Sequence, residues 1–185
     1  KPFDDTRRVA RLPGPPYHFM TRVSSIEGDI GQMKPGAVIE IEYDVDPTVW
    51  YFRENGSATM PYCVLLEAAL QPCGWLASFV GSATTEEGDL FFRNLDGTGR
   101  LTGELLPDCG TLRTRVKITN VSKTGGMIIE SFEVECFIGD TVVYEMKTVF
   151  GFFPKEALAN QKGLPATTEQ LEGLQAPSDF MVDLT

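Results

Sequence analysis

Histidine is almost missing from these 185 residues: there is one, His18, in the stretch PPYHFM. Its neighbours are apolar, so it reads as a packed, hydrogen-bonded side chain rather than as a base. Positive charge is also scarce. Sixteen Lys and Arg stand against 26 Asp and Glu, a net charge of −10. Nucleic acid and anionic membrane both need clustered cations, so neither is expected as a partner. No apolar run reaches the roughly 18 residues that span a bilayer. The opening KPFDDTRRVARLPGPP lacks the apolar stretch of a signal peptide, and its abrupt start reads as a piece of a longer chain. The four cysteines, Cys63, Cys73, Cys109 and Cys136, show no close metal-ligand spacing, which favours structural thiols in a reducing cytoplasm. No metal site is expected. Nothing resembles a nucleophile elbow, a phosphate loop or a dinucleotide fingerprint.

What is present is an ordinary globular composition, 42% apolar and 23% charged, with enough length for one sizeable core. Residues 1–11 read as a lead-in, 12–153 as one domain, and 154–185 as a short helix and linker, where Gly and Pro scatter among polar residues. AVIEIEYDV (37–45) alternates Ile39, Ile41 and Tyr43 with Glu40, Glu42 and Asp44, as a half-buried strand does. TLRTRVKIT (111–119) sets Leu112, Thr114, Val116 and Ile118 against Arg113, Arg115 and Lys117. Residues 129–153 predict a hairpin turning at Gly139-Asp140, with Phe132, Val134, Cys136 and Ile138 inward. A shorter strand and turn fit residues 20–31. The basic strand and the acidic ones then form a solvated face, each cross-strand pair contributing roughly 0.2–1 kcal/mol.

WYFRENGSATMPYCVLLEAALQPCGWLASFV (50–80) contains a helix that is apolar on nearly every side. Such a helix must be covered all round, which predicts an α+β fold: a long central helix wrapped by an antiparallel sheet. Pro61 suits its first turn and leaves the N–H groups of Tyr62 and Cys63 at the positive end of the dipole. These donors fit a carbonyl oxygen or oxyanion, and an ordinary helix start accounts for them equally. Glu67 and Gln71 share a face, one turn apart. An ionised carboxylate in a dry helix face costs several kcal/mol, so Glu67 is expected either as a proton donor near neutrality or as a carboxylate bonded to buried backbone or to an Arg. Pro72 is expected to kink the helix and free a carbonyl near residue 68. Arg53 keeps its proton and cannot serve as a base.

The segments PPYHFMTRV, YDVDPTVWYFRENGSATMPYCVLLEAALQPCGW and FFRNLDGTGRLTGELL, in that order, resemble hot-dog-fold β-hydroxyacyl-ACP dehydratases of the β-hydroxydecanoyl type. ALQPCGWLASFVGS is similar to the dehydratase domains of polyunsaturated fatty acid synthases, relatives of polyketide synthases. The likeness runs from about Leu12 to Phe153. It implies a site shared by two hot dogs, from one chain or a homodimer. One gives a histidine that removes the α-proton; the other gives a helix carboxylate that protonates the departing hydroxyl. On the Met60-Pro61 match, Glu67 takes the acid position and Gln71 the polar position one turn on. Cys63 falls where a backbone N–H holds the thioester carbonyl, Gly56 at the loop glycine, and Arg53 where the family has its histidine. Tyr62 replaces a small residue and is expected to narrow the pocket mouth.

The resemblance therefore implies half of a 3-hydroxyacyl-[acyl carrier protein] dehydratase in a cytoplasmic synthase, without a cofactor. Its expected partners are acyl carrier protein bearing a 3-hydroxyacyl-phosphopantetheine and a second hot dog that owns the base. Three alternatives stand: a catalytically silent pseudo-domain, a hot-dog thioesterase using Glu67 and Gln71, and a non-enzymatic acyl-binding or assembly module.

Overall fold

Side-chain alternation builds most of the sheet. The structure is a computed structural model that describes residues 8–82, 84–159, 163 and 165–175. Its elements run β1 (Arg22–Glu27), β2 (Val38–Asp44), α1 (Trp50–Arg53), α2 (Tyr62–Val80), β3 (Phe91–Leu101), β4 (Thr111–Thr124), β5 (Met127–Ile138), β6 (Thr141–Phe153), α3 (Lys155–Leu158) and α4 (Thr168–Gln175). The strands form one antiparallel sheet in the order β1-β2-β4-β5-β6-β3. Ile39, Ile41, Leu112, Val116, Ile118, Phe132, Val134 and Phe150 are buried on one face, against α2. The expected turn joins β5 to β6, with Gly139 at φ +57. Gly125 and Gly126, at φ +58 and +77, close the β4–β5 hairpin, a two-residue loop that needs two left-handed residues.

Cross-strand charge pairing follows the register. Arg115 lies opposite Glu40 on β2 and Glu135 on β5, and forms ion pairs with both. Lys147 of β6 reaches Glu133 of β5 at 3.0 Å. The exposed face is thus laced with compensated charge rather than polarised for a charged partner.

Two strands edge this sheet, and they differ. β1 is six residues long, bulged between Val23 and Ser25, and carries Arg22 paired to Glu42 and Asp44. β3 is 11 residues long, and from Arg93 to Leu101 its residues are exposed. Most of β3, NLDGTGRL, shows no apolar alternation in its sequence and was not expected as a strand.

α2 runs 19 residues through Pro72 without interruption. Pro61 serves as its N-cap rather than its first helical residue. At the other end Gly81, at φ +100, caps it, and the N–H of Ser82 reaches back to the Ala77 carbonyl, a Schellman closure. The sheet covers one side of α2 only. Val64, Leu65, Ala68, Ala69, Leu76 and Ala77 are buried, whereas Leu66, Glu67, Leu70, Trp75 and Phe79 are half-covered and Tyr62 and Cys63 exposed. The expected all-round wrapping is therefore incomplete, because a single six-stranded sheet curls round half of a helix. By length and composition α2 also passes as a bilayer span, contrary to the sequence reading, with 56% of that window buried against the domain.

At the ends, Val9 is buried and Leu90 donates its N–H to the Arg8 carbonyl, so residues 8–11 pack onto the domain. Beyond β6 the described residues form two short helices, α3 and α4, rather than one.

Candidate functional site

Glu67 opens into a cavity of about 300 Å³ between α2, the start of β3 and the strand-free stretch 10–13. Leu12, Leu70, Phe92 and Phe152 make its apolar wall; Gln71 and Asn94 add amides. The carboxylate is half-buried rather than sealed. α2 places it there because residues 67, 70, 71 and 74 fall on one helical stripe facing away from the sheet.

Gln71 is 3% exposed, and both its amide nitrogen and its amide oxygen are hydrogen-bonded nearby. Its Nε2 donates to Glu67 Oε1 at 3.1 Å and to the Tyr17 carbonyl at 2.9 Å, while its Oε1 accepts the Phe19 N–H at 2.8 Å. The amide therefore orients Glu67 and clamps the segment before β1 to the helix. Gln71 lines the Glu67 cavity with both of its N–H donors committed.

At the head of α2, Val64 is the first residue whose N–H bonds to the Pro61 carbonyl. The N–H groups of Tyr62 and Cys63 have no partner among the described residues. They remain available to an acceptor such as a carbonyl oxygen. The Cys63 thiol is exposed, not packed as expected; Cys73 and Cys136 are buried, and burial pushes the Cys136 thiol up to about 12. Tyr62 leans over the helix start, its Oη 3.0 Å from Tyr144 Oη.

The other expected site residues are not drawn to Glu67. Arg53 is exposed on α1 and Gly56 exposed in the loop that follows; neither lines the cavity. His18 is also exposed, which corrects its reading as a packed side chain. Phe19, the next residue, is the one that enters the core. Among the described residues no histidine lines the cavity, and no group of three His, Cys, Asp or Glu could hold a metal ion.

The most deeply buried carboxyl was missed. Glu130 on β5 is 0% exposed, and burial pushes its carboxyl up to about 7, opposed by a 2.6 Å bond from Ser82 Oγ. The signal was present: counting back by twos from Cys136, Val134 and Phe132 puts Glu130 on the inward face.

A six-stranded antiparallel sheet curled on one long helix, with a carboxylate and an amide set into that helix, is a hot-dog fold of the dehydratase and thioesterase kind. The sequence profile of the FabA-like domain matches residues 12–147, and the chain belongs to that family. It is 36% identical, over 128 residues, to one of the subunits of a polyunsaturated fatty acid synthase from a Thraustochytrium species; the match takes 66% of this chain and spans 8% of that relative's length. Among solved structures it superposes on the dehydratase heterocomplex ApeI:P of Xenorhabdus doucetiae with TM-score 0.59, at 16% identity, covering 80% of this chain and 93% of the other. A candidate thioesterase of Lactococcus lactis gives TM-score 0.52 at 13% identity, with 74% and 94% covered. These distant likenesses carry the fold alone.

Proposed function

We propose that this chain is one half of a composite 3-hydroxyacyl-[acyl carrier protein] dehydratase of a fatty acid synthase working in the cytoplasm, its base supplied by a second hot dog. The observation that carries this is Glu67: a carboxyl held by a buried amide, on an apolar cavity, on the uncovered face of α2. With a 3-hydroxyacyl thioester bound, a base of the second module removes a proton from C2. Glu67 gives its proton to the C3 hydroxyl, the C3–O bond breaks, and water leaves with a 2-enoyl thioester formed. The Cys63 N–H holds the thioester carbonyl as negative charge develops there. Gln71 keeps Glu67 aimed.

The second module docks along β3, an edge strand of 11 residues against the six of β1, exposed from Arg93 to Leu101. Docking there brings foreign side chains to the open side of α2. Acyl carrier protein delivers the substrate on its phosphopantetheine arm.

The test compares dehydration of a 3-hydroxyacyl thioester by this chain alone and by the chain joined to its neighbouring hot dog. Activity is expected only in the joined protein, and Glu67→Gln there lowers the rate by about 10²–10⁴-fold. An unchanged rate makes this half a silent scaffold. A second reading, thioesterase, draws on the absence of a histidine from the described cavity lining. It requires release of free thiol from acyl-CoA by this chain alone, lost in Glu67→Gln.

A further inference from the structure

With the thioester carbonyl on the Cys63 N–H and C3 at Glu67, the acyl chain beyond C3 continues toward the tail of α2. Along that line the helix presents Glu67, Leu70, Gln71, Gly74 and Ser78, a stripe in steps of three and four, and all five line the Glu67 cavity. From Glu67 to Ser78 is about 16 Å of helix axis. Beyond Gln71 the stripe turns small. Ser78 also folds its hydroxyl back, donating to the Gly74 carbonyl at 3.0 Å, so it brings no unpaired donor to the groove.

Two walls rise from this floor and then meet. One is the stretch ahead of β1, which runs antiparallel to α2. Its Tyr17 and Phe19 backbone is bonded to Gln71, and further along the helix Leu12 reaches Gly74, where a Cβ would lie 3.4 Å from Leu12 Cδ2. Ala10 then lines the cavity as well. The other wall is the start of β3, with Phe92 edge-on to Phe152. At the tail end the two walls are stitched together. Arg8 donates its N–H to Asp89 Oδ1 at 2.6 Å and accepts the Leu90 N–H at 3.2 Å, and the Arg8 guanidinium lies 5.0 Å from the Phe91 ring centroid. The groove is therefore blind beside Ser78. Among its lining residues Arg11 and Asn94 are exposed, whereas Leu12, Leu70 and Phe92 are half-covered and Phe152 is buried, so the inner space is apolar.

Resting on the acyl-thioester reading above, we infer that the acyl tail fills this groove and that Ser78, at its blind end, is the specificity-determining residue that sets the longest chain accepted. A methylene entering apolar space strengthens binding about four-fold, and one that meets a filled end adds nothing. Affinity therefore climbs with chain length and levels off where the chain reaches Ser78.

The experiment measures Kd of the 185-residue chain for straight-chain acyl-pantetheine thioesters of graded length. Wild type is expected to show the climb and then a plateau. Ser78→Leu fills the blind end with about two methylenes' worth of side chain, so its plateau comes about two methylenes sooner. The longest chains then bind about fifteen-fold more weakly than to wild type, while short chains bind alike. Ala10→Leu, from the opposite wall, is expected to move the plateau the same way, and circular dichroism on both variants separates a filled groove from a lost fold. An unmoved plateau in folded Ser78→Leu, or in Ala10→Leu should the first variant not fold, overturns the inference and leaves the dehydratase reading standing. So does a wild-type affinity that climbs without levelling. No binding of any acyl length by wild type overturns both.

Discussion

Ser82 Oγ donates a 2.6 Å hydrogen bond to Glu130 Oε1 where both residues are 0% exposed, and the other carboxyl oxygen, Oε2, has no partner. Ser82 stands one residue past the glycine cap of α2, so the pair joins the tail of the helix to the middle of β5. A buried carboxyl with one partner is best kept neutral, which is why its folded pKa lies near 7 against 4.5 for the free group.

Glu130 consequently makes the fold less stable as pH rises. Below about 4.5 both folded and unfolded chains hold the proton and nothing is lost. Between 4.5 and 7 the unfolded chain releases it first, and above 7 the cost levels off at about 3 kcal/mol. Glu130→Gln removes this dependence. Urea unfolding is expected to shift in favour of the variant by about 2–3 kcal/mol between pH 5 and pH 8. A constant difference across that range would show that Glu130 is ionised throughout.

Gln71→Leu keeps the volume and removes three hydrogen bonds. The Phe19 N–H is left unpaired in the interior, so the expected loss is about 2–3 kcal/mol in urea unfolding. Dehydration by the joined protein falls as well, since Glu67 loses its orienting donor. A change below about 0.5 kcal/mol would mean that the segment before β1 is held by its aromatic packing alone.

Leu95→Lys places a charge on the open edge of β3, where Leu95 is 50% exposed. Stability is expected to stay within about 0.5 kcal/mol. Association with a second hot dog weakens at least ten-fold by sedimentation. Val23→Lys, on the opposite edge at β1, leaves association unchanged. Equal effects of the two would place the contact elsewhere than β3.

Gly99→Ala sets a methyl group against the Tyr144 phenol, and one or the other must move. The expected loss is about 1–3 kcal/mol in thermal or chemical unfolding. The Tyr62–Tyr144 bond is expected to open with it, which the ultraviolet difference spectrum of the two phenols reports.

The strands β2, β4, β5 and β6 were legible because each sets apolar side chains to one face in strict alternation, as Leu112, Val116 and Ile118 do between arginines and lysine. α2 was legible from its apolar length, and Glu67 with Gln71 from the four-residue step. β3 was not. NLDGTGRL is written in turn residues, and it is extended only because β6 offers a long partner from Tyr144 to Phe153. The clamp of Gln71 on Tyr17 and Phe19 joins residues more than 50 apart in sequence, beyond any local pattern. His18 misled because its neighbours are apolar, although Phe19 beside it is the one that enters the core.

Residues 10–13 wall the Glu67 cavity, and residues 17 and 19 are tied to the amide that aims Glu67. The stretch ahead of the first strand is thus part of the working unit, not a tether to whatever precedes it. A version trimmed to begin at Met20 would keep its sheet and helix on paper, yet open one flank of the cavity and free Glu67 from the amide that orients it. Anyone cutting this domain from a larger polypeptide should cut upstream of Arg8.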